Sequence, residues 1–135
     1  MTLRYKRPDT KNAQSMIESA KRDMKFTLSL TLNDDSAGTI IRGIYECFRM
    51  LGDALLVAQG RISKEHTEQL KALLSLNPAS PRSLQLLDNF RMLRHNINYY
   101  GYSPTNEEAE DILNFARQCF EPVCQAVENR VSQSL

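Results

Sequence analysis

Seven apolar residues, Ala37, Ile41, Ile44, Phe48, Leu51, Leu55 and Ala58, recur at intervals of three or four along one stretch of the chain. That spacing follows the α-helical turn of about 3.6 residues and predicts one long amphipathic helix with a continuous apolar stripe. The run Asn33, Asp34, Asp35 and Ser36 ahead of it offers a choice of N-caps, and Gly60 supplies a C-terminal stop. Gly38, Gly43 and Gly52 weaken the helix locally, a cost that close contact with a neighbouring helix would offset. A helix of this kind needs partners to cover its stripe, and the remaining sequence provides them.

A first helix is expected over residues 10–31, with Ala13, Ile17, Ala20, Met24 and Leu28 on one face. The short break at 33–36 then makes it an antiparallel neighbour of the second. A third, shorter helix is expected over 64–76, capped by Ser63, carrying Leu70, Leu73 and Leu74 and ended by Asn77-Pro78. Ser80-Pro81 predicts the start of a fourth, which Gly101 closes near Tyr100. Thr105 and Glu108 have the spacing of a capping box and open a fifth helix, in which Ala109, Ile112, Phe115, Ala116, Cys119, Val123 and Val127 face inward. Pro122 interrupts that helix and is expected to kink it without ending it, because the period survives beyond. Almost nothing reads as strand. The expected fold class is all-α, an up-and-down bundle of four to five helices, with a flexible arm at 1–9, one domain at 10–131 and a tail at 132–135.

Length and charge narrow the function classes. A chain of 135 residues has room for one core and no second domain. Seventeen basic against sixteen acidic residues leave no overall field to recruit nucleic acid or an anionic membrane, so any such binding has to be local. Arg4, Lys6 and Arg7 around Tyr5 form a basic cluster outside the helices, read as part of a solvated arm. Cys47, Cys119 and Cys124 lack paired zinc-site spacing and read as buried or semi-buried thiols. No metal or other cofactor is expected. No run approaches a membrane span, and the expected setting is the reducing cytoplasm.

The fourth helix carries the chemistry. Plotted at helical pitch, Leu86, Phe90, Leu93, Ile97 and Tyr100 share an arc expected to face the core. The opposite arc gathers Asp88, Arg91, Arg94, His95 and Asn98, with Leu84 and Leu87 among them and Tyr99 at the edge. Arginine, histidine, asparagine and tyrosine are side chains that recognise phosphates and planar groups, whereas a merely solvated face more often carries lysine and glutamate. On the second helix Glu46 and Asp53, interleaved with Arg42 and Arg49, read either as ordinary surface pairs or as carboxylates that orient Arg94 or His95 across the bundle. His66 reads as a cap or core-edge residue.

The stretch Arg91-Met92-Leu93-Arg94-His95-Asn96-Ile97-Asn98-Tyr99-Tyr100-Gly101-Tyr102 resembles the HEPN family, whose signature is an arginine, usually followed by a polar residue, and a histidine four to six intervening positions later on the penultimate long helix. Arg94 followed by His95 matches the beginning. The segment from Ile44 to Leu56 is similar to the family's second helix, and His66 falls where such proteins often carry a histidine opening the third. The resemblance spans roughly residues 10–131.

What the resemblance implies is a homodimer whose arginine and histidine side chains meet in a cleft at the interface, where active members cut RNA without metal. Arg94 would hold the phosphate with Arg91 assisting. Tyr99 stands where an active relative has histidine, and a phenol with a pKa near 10 is a poor base at neutral pH. His95, beside Arg94, is then the remaining candidate base, making Arg94 and His95 the candidate catalytic pair. Arg91, Asn98, Tyr99 and Tyr102 are the candidate substrate contacts, with Glu46 and Asp53 in support. Some HEPN proteins act with a minimal nucleotidyltransferase that modifies a tyrosine near the motif; here Gly101 occupies that register, while Tyr99, Tyr100 and Tyr102 lie close by. The leading expectation is a HEPN-like dimeric module that binds RNA or a nucleotide, with a nucleotidyltransferase as candidate partner and catalysis lost or reduced. An active metal-independent ribonuclease of the toxin–antitoxin type and a plain helical protein–protein adaptor are the alternatives.

Overall fold

The computed structural model describes residues 3–5, 7–63 and 65–133, with the side chains of 3–5, 63 and 66 left out. Five helices, α1 (Thr10–Leu28), α2 (Ala37–Ala58), α3 (His66–Leu76), α4 (Leu86–Tyr100) and α5 (Asn106–Ser132), make an all-α bundle, with two three-residue strands, β1 (Leu3–Tyr5) and β2 (Arg61–Ser63). Among the described residues no helix is long and apolar enough to cross a membrane.

α2 is the axis of the bundle. Its expected stripe is buried throughout, and so are Ile40, Tyr45, Cys47, Ala54 and Leu56 on other faces, because α1, α3, α4 and α5 all pack on it. Phe48 lies at the centre, with ring centroids 5.4 Å from Phe115 and 5.5 Å from Phe120; Phe90 reaches the same cluster edge-on, 4.9 Å from Phe115. α3 crosses α2 at Gly52 so closely that a β-carbon there would stand 2.3 Å from the Gln69 carbonyl oxygen. A β-carbon at Gly43 would likewise meet Thr27 of α1, at 2.9 Å. Close helix contact accounts for these two glycines.

Local signals set most of the ends. The Asp9 carboxylate accepts from Asn12 N–H at 2.9 Å and caps α1, while Asp9 N–H donates to the Val57 carbonyl and ties that end to α2. α1 stops at Leu28, ahead of the expected residue 31, because Ser29 and Leu30 N–H groups turn back to the carbonyls of Phe26 and Thr27 and tighten the last turn. In the link to α2 the Asn33 side-chain oxygen accepts from the N–H groups of Asp35 and Ser36, each at 2.9 Å. Asn77 closes α3 in the left-handed conformation (φ 47°), and Gly101 does so for α4 (φ 65°). The Thr105–Glu108 capping box forms as expected, and α5 runs on through Pro122.

Within the arm expected over 1–9, residues 3–5 form β1, which pairs antiparallel with β2 in the register Arg4↔Ile62. Three expectations are corrected. Ser63 belongs to β2 and does not cap α3, whose N-cap is Glu65; Lys64 and the His66 side chain, for which a cap or core-edge role is expected, lie outside the described residues. Ser80-Pro81 does not open α4, which starts at Leu86. The intervening chain is pinned before it can wind, with Arg82 paired to Asp111 at 3.2 Å, its guanidinium 5.6 Å from the Phe115 ring centre, and Leu84 buried. Finally, α4 buries Leu87 and Phe90, whereas Tyr100, expected in the core, is 76% exposed, and Leu84 and Leu87, expected on the outward arc, are inside. α4 packs chiefly on α2, so only a narrow stripe of it is covered and the stripe is rotated toward Leu87, Arg91 and Arg94.

Candidate functional site

α2 and α4 run in opposite directions and meet along a polar seam. Arg42 Nη1 donates to Asn98 Oδ1 at 3.4 Å, and one turn along the Arg94 guanidinium sits 5.5 Å from the centre of the Tyr45 ring. Burial pushes the Tyr45 phenol up, while the positive charges of Arg94, Arg91 and Arg49 act on it in the opposite direction, so three guanidiniums lie within electrostatic reach of one buried phenol. Arg42, Arg49, Arg91 and Arg94 therefore line one strip of the surface.

The four differ in their partners. Arg49 is clamped by Glu46, one contact being 3.0 Å from Nε to Oε2, and reaches Asp53 at 3.5 Å; burial opposes its charge, but the Glu46 contact dominates and holds the guanidinium above its ordinary range. Arg91 donates to Asp88 Oδ1 at 2.9 Å. Among the described residues neither Arg42 nor Arg94 has a carboxylate within ion-pair distance. Two cations on one seam without a carboxylate in ion-pair contact are what an anion would neutralise.

The expected site residues thus divide. Arg91, Arg94 and Asn98 come together with α2. Glu46 and Asp53 sit beside them, yet both engage Arg49, as ordinary helix pairs do, and Asp53 also accepts from the buried Gln69 amide at 3.2 Å. His95 lies on the neighbouring face of α4, one residue on from Arg94. It is exposed, with its ring 4.7 Å from Tyr99 and 5.7 Å from Tyr100 between centroids. Tyr102 leaves the seam altogether and donates to Glu108 Oε1 at 2.6 Å, at the start of α5.

Arg42 and Tyr45 are members of the seam that the sequence did not mark out. Their signal was the spacing Arg42, Tyr45, Arg49 on one helical stripe, uninterpretable until α4 was known to lie against it. On the flank of α4 facing α5, by contrast, Glu108 and Asp111 help line a cleft of about 390 Å³ that is otherwise apolar or amide in character, and Asp111 is paired with Arg82. Burial pushes the Cys47 and Cys124 thiols up to about 12, so these two sulfurs stay protonated, and Cys119 is buried as well. Among the described residues no group of His, Cys, Asp and Glu is arranged to hold a metal ion.

Compared with known proteins, the chain matches no family model, no curated protein and no solved structure.

Proposed function

We propose that the α2–α4 seam binds the phosphate groups of RNA or a nucleotide, in a HEPN-like module that works as a homodimer and whose cleavage activity is lost or reduced. The observation that carries this reading is the placement of Arg42 and Arg94 on one strip with no carboxylate partner. A phosphate lying there gains charge-assisted hydrogen bonds, and Arg49 and Arg91, already neutralised by Glu46, Asp53 and Asp88, shape the strip without drawing the ligand away. Loss of cleavage follows from the divergence of the candidate pair, since Arg94 faces Tyr45 while His95 packs on Tyr99 and Tyr100. A base has to reach the ribose hydroxyl beside the phosphate that the cation holds. Homodimerisation and pairing with a minimal nucleotidyltransferase come with the family resemblance, a cytoplasmic setting with the unpaired cysteines, and all three belong to the same proposal.

The test is RNA binding by fluorescence anisotropy in EDTA across a salt series. Arg94→Ala and Arg42→Ala each weaken binding about tenfold and lower the salt slope by about one. Binding unchanged in both variants removes the reading. Cleavage that vanishes in both Arg94→Ala and His95→Ala restores the ribonuclease in its place.

A further inference from the structure

Two stripes run side by side along α4. Arg91, Arg94 and Asn98 face the seam; Met92, His95 and Tyr99 follow each of them by one residue and so occupy the next stripe, about 100° around the helix. The second stripe has no place in the core. Met92 is 48% exposed and Tyr99 71%, and Tyr100 brings a third ring to the same corner, edge-on to His95 with 70° between planes. Tyr99 is tilted 40° to His95, so neither tyrosine is closed off by parallel stacking.

We propose that His95, Tyr99 and Tyr100 form a stacking platform for unpaired bases of an RNA strand whose phosphates lie on the Arg42–Arg94 seam. The inference rests on the phosphate-binding reading of that seam and adds a second subsite to it. A single strand presents phosphates along one side and flat, partly apolar bases along the other, which is the order of the two stripes. Aromatic faces accept any base, because every base has a π-face. In a duplex the bases are already paired and stacked, so the platform selects single strands. Glu108 of α5, across the opposite flank of α4, repels phosphate, which leaves the seam side as the path of the backbone.

The experiment compares a labelled RNA oligonucleotide of mixed sequence, the same backbone without bases, and the corresponding duplex. The wild-type protein binds the single strand about 5- to 100-fold more tightly than the abasic backbone. A Tyr99→Ala/Tyr100→Ala double variant loses that preference and binds both at the abasic level, whereas Tyr99→Phe/Tyr100→Phe keeps it. Arg94→Ala lowers affinity for both probes alike. A preference that survives the double alanine variant overturns the platform while leaving the seam intact. Absence of binding to any probe overturns the seam and the platform with it. A dimer that the double alanine variant converts to monomer, with RNA affinity unchanged, shows that the rings meet a second copy of the chain and also overturns the platform.

Discussion

α2 and α4 lie against each other, yet they are held in place by different means. Thirteen of the 22 residues of α2 are buried, on all faces but the strip of Arg42, Glu46, Arg49 and Asp53, whereas α4 buries only Leu87 and Phe90. Outside that strip the side chains of α2 are chosen by packing. α4 is an edge element with one covered stripe, so its arginines and rings are free to be chosen for something other than stability. Where the two helices meet, the contact is looser than where α3 crosses α2. A β-carbon at Gly38 would find Ile97 of α4 at an ordinary 3.8 Å, against 2.3 Å between Gly52 and the Gln69 carbonyl oxygen.

Truncating side chains is the most severe way to break this contrast. Phe48→Ala removes a ring packed between Phe115 and Phe120 and costs about 4 kcal/mol in urea unfolding, whereas Tyr99→Ala on α4 changes stability by less than about 0.5 kcal/mol. Equal losses would mean that α4 is as enclosed as α2. Glycines probe the same difference more gently. Gly52→Ala forces backbone of α3 to move and costs about 2 kcal/mol, while Gly38→Ala meets no obstacle and stabilises α2 by up to about 1 kcal/mol. If both alanines behave alike, the distinction between the tight and the loose contact fails.

The same contrast explains what could be read in advance. The bounds of α2, the left-handed glycine ending α4 and the Thr105–Glu108 box were legible because each is written in residues that touch one another locally. β1 and β2 were not, since three-residue strands are too short to alternate and their pairing joins Leu3 to Ser63 across the whole of α1 and α2. Ser80-Pro81 is a sound local start signal overridden by tertiary contacts of Arg82 and Leu84. On α4 the helical period correctly put Arg91, Arg94 and Asn98 on one stripe. It could not say how wide an arc the neighbours would cover, and Tyr100 was misplaced for that reason. The α2 half of the seam, Arg42 and Tyr45, became visible only when the two helices were seen to be antiparallel and adjacent.

The smallest expected effect concerns the junction after α4, where an edge helix hands over to a packed one. The Glu108 carboxylate accepts from Tyr102 Oη at 2.6 Å and from Thr105 N–H at 2.9 Å, while Glu108 N–H donates to Thr105 Oγ1 at 3.0 Å. The Tyr102 hydroxyl, then the Thr105 contacts, hold the Glu108 carboxyl below the usual carboxylate range, against a smaller opposing effect of burial. A depressed folded-state value means that the unfolded chain binds this proton more readily, so the contribution to stability is fully present above the unfolded carboxyl value and is lost as pH falls through the folded one. Thr105→Ala therefore costs about 1 kcal/mol at neutral pH. Tyr102→Phe destabilises at neutral pH as well, and its difference from wild type closes on acidification through that range. Urea unfolding of both variants along a pH series checks this. A Tyr102→Phe difference that stays constant down to strongly acidic pH would show that the tyrosine acts by packing alone and that the junction, like α2, is held by apolar contact.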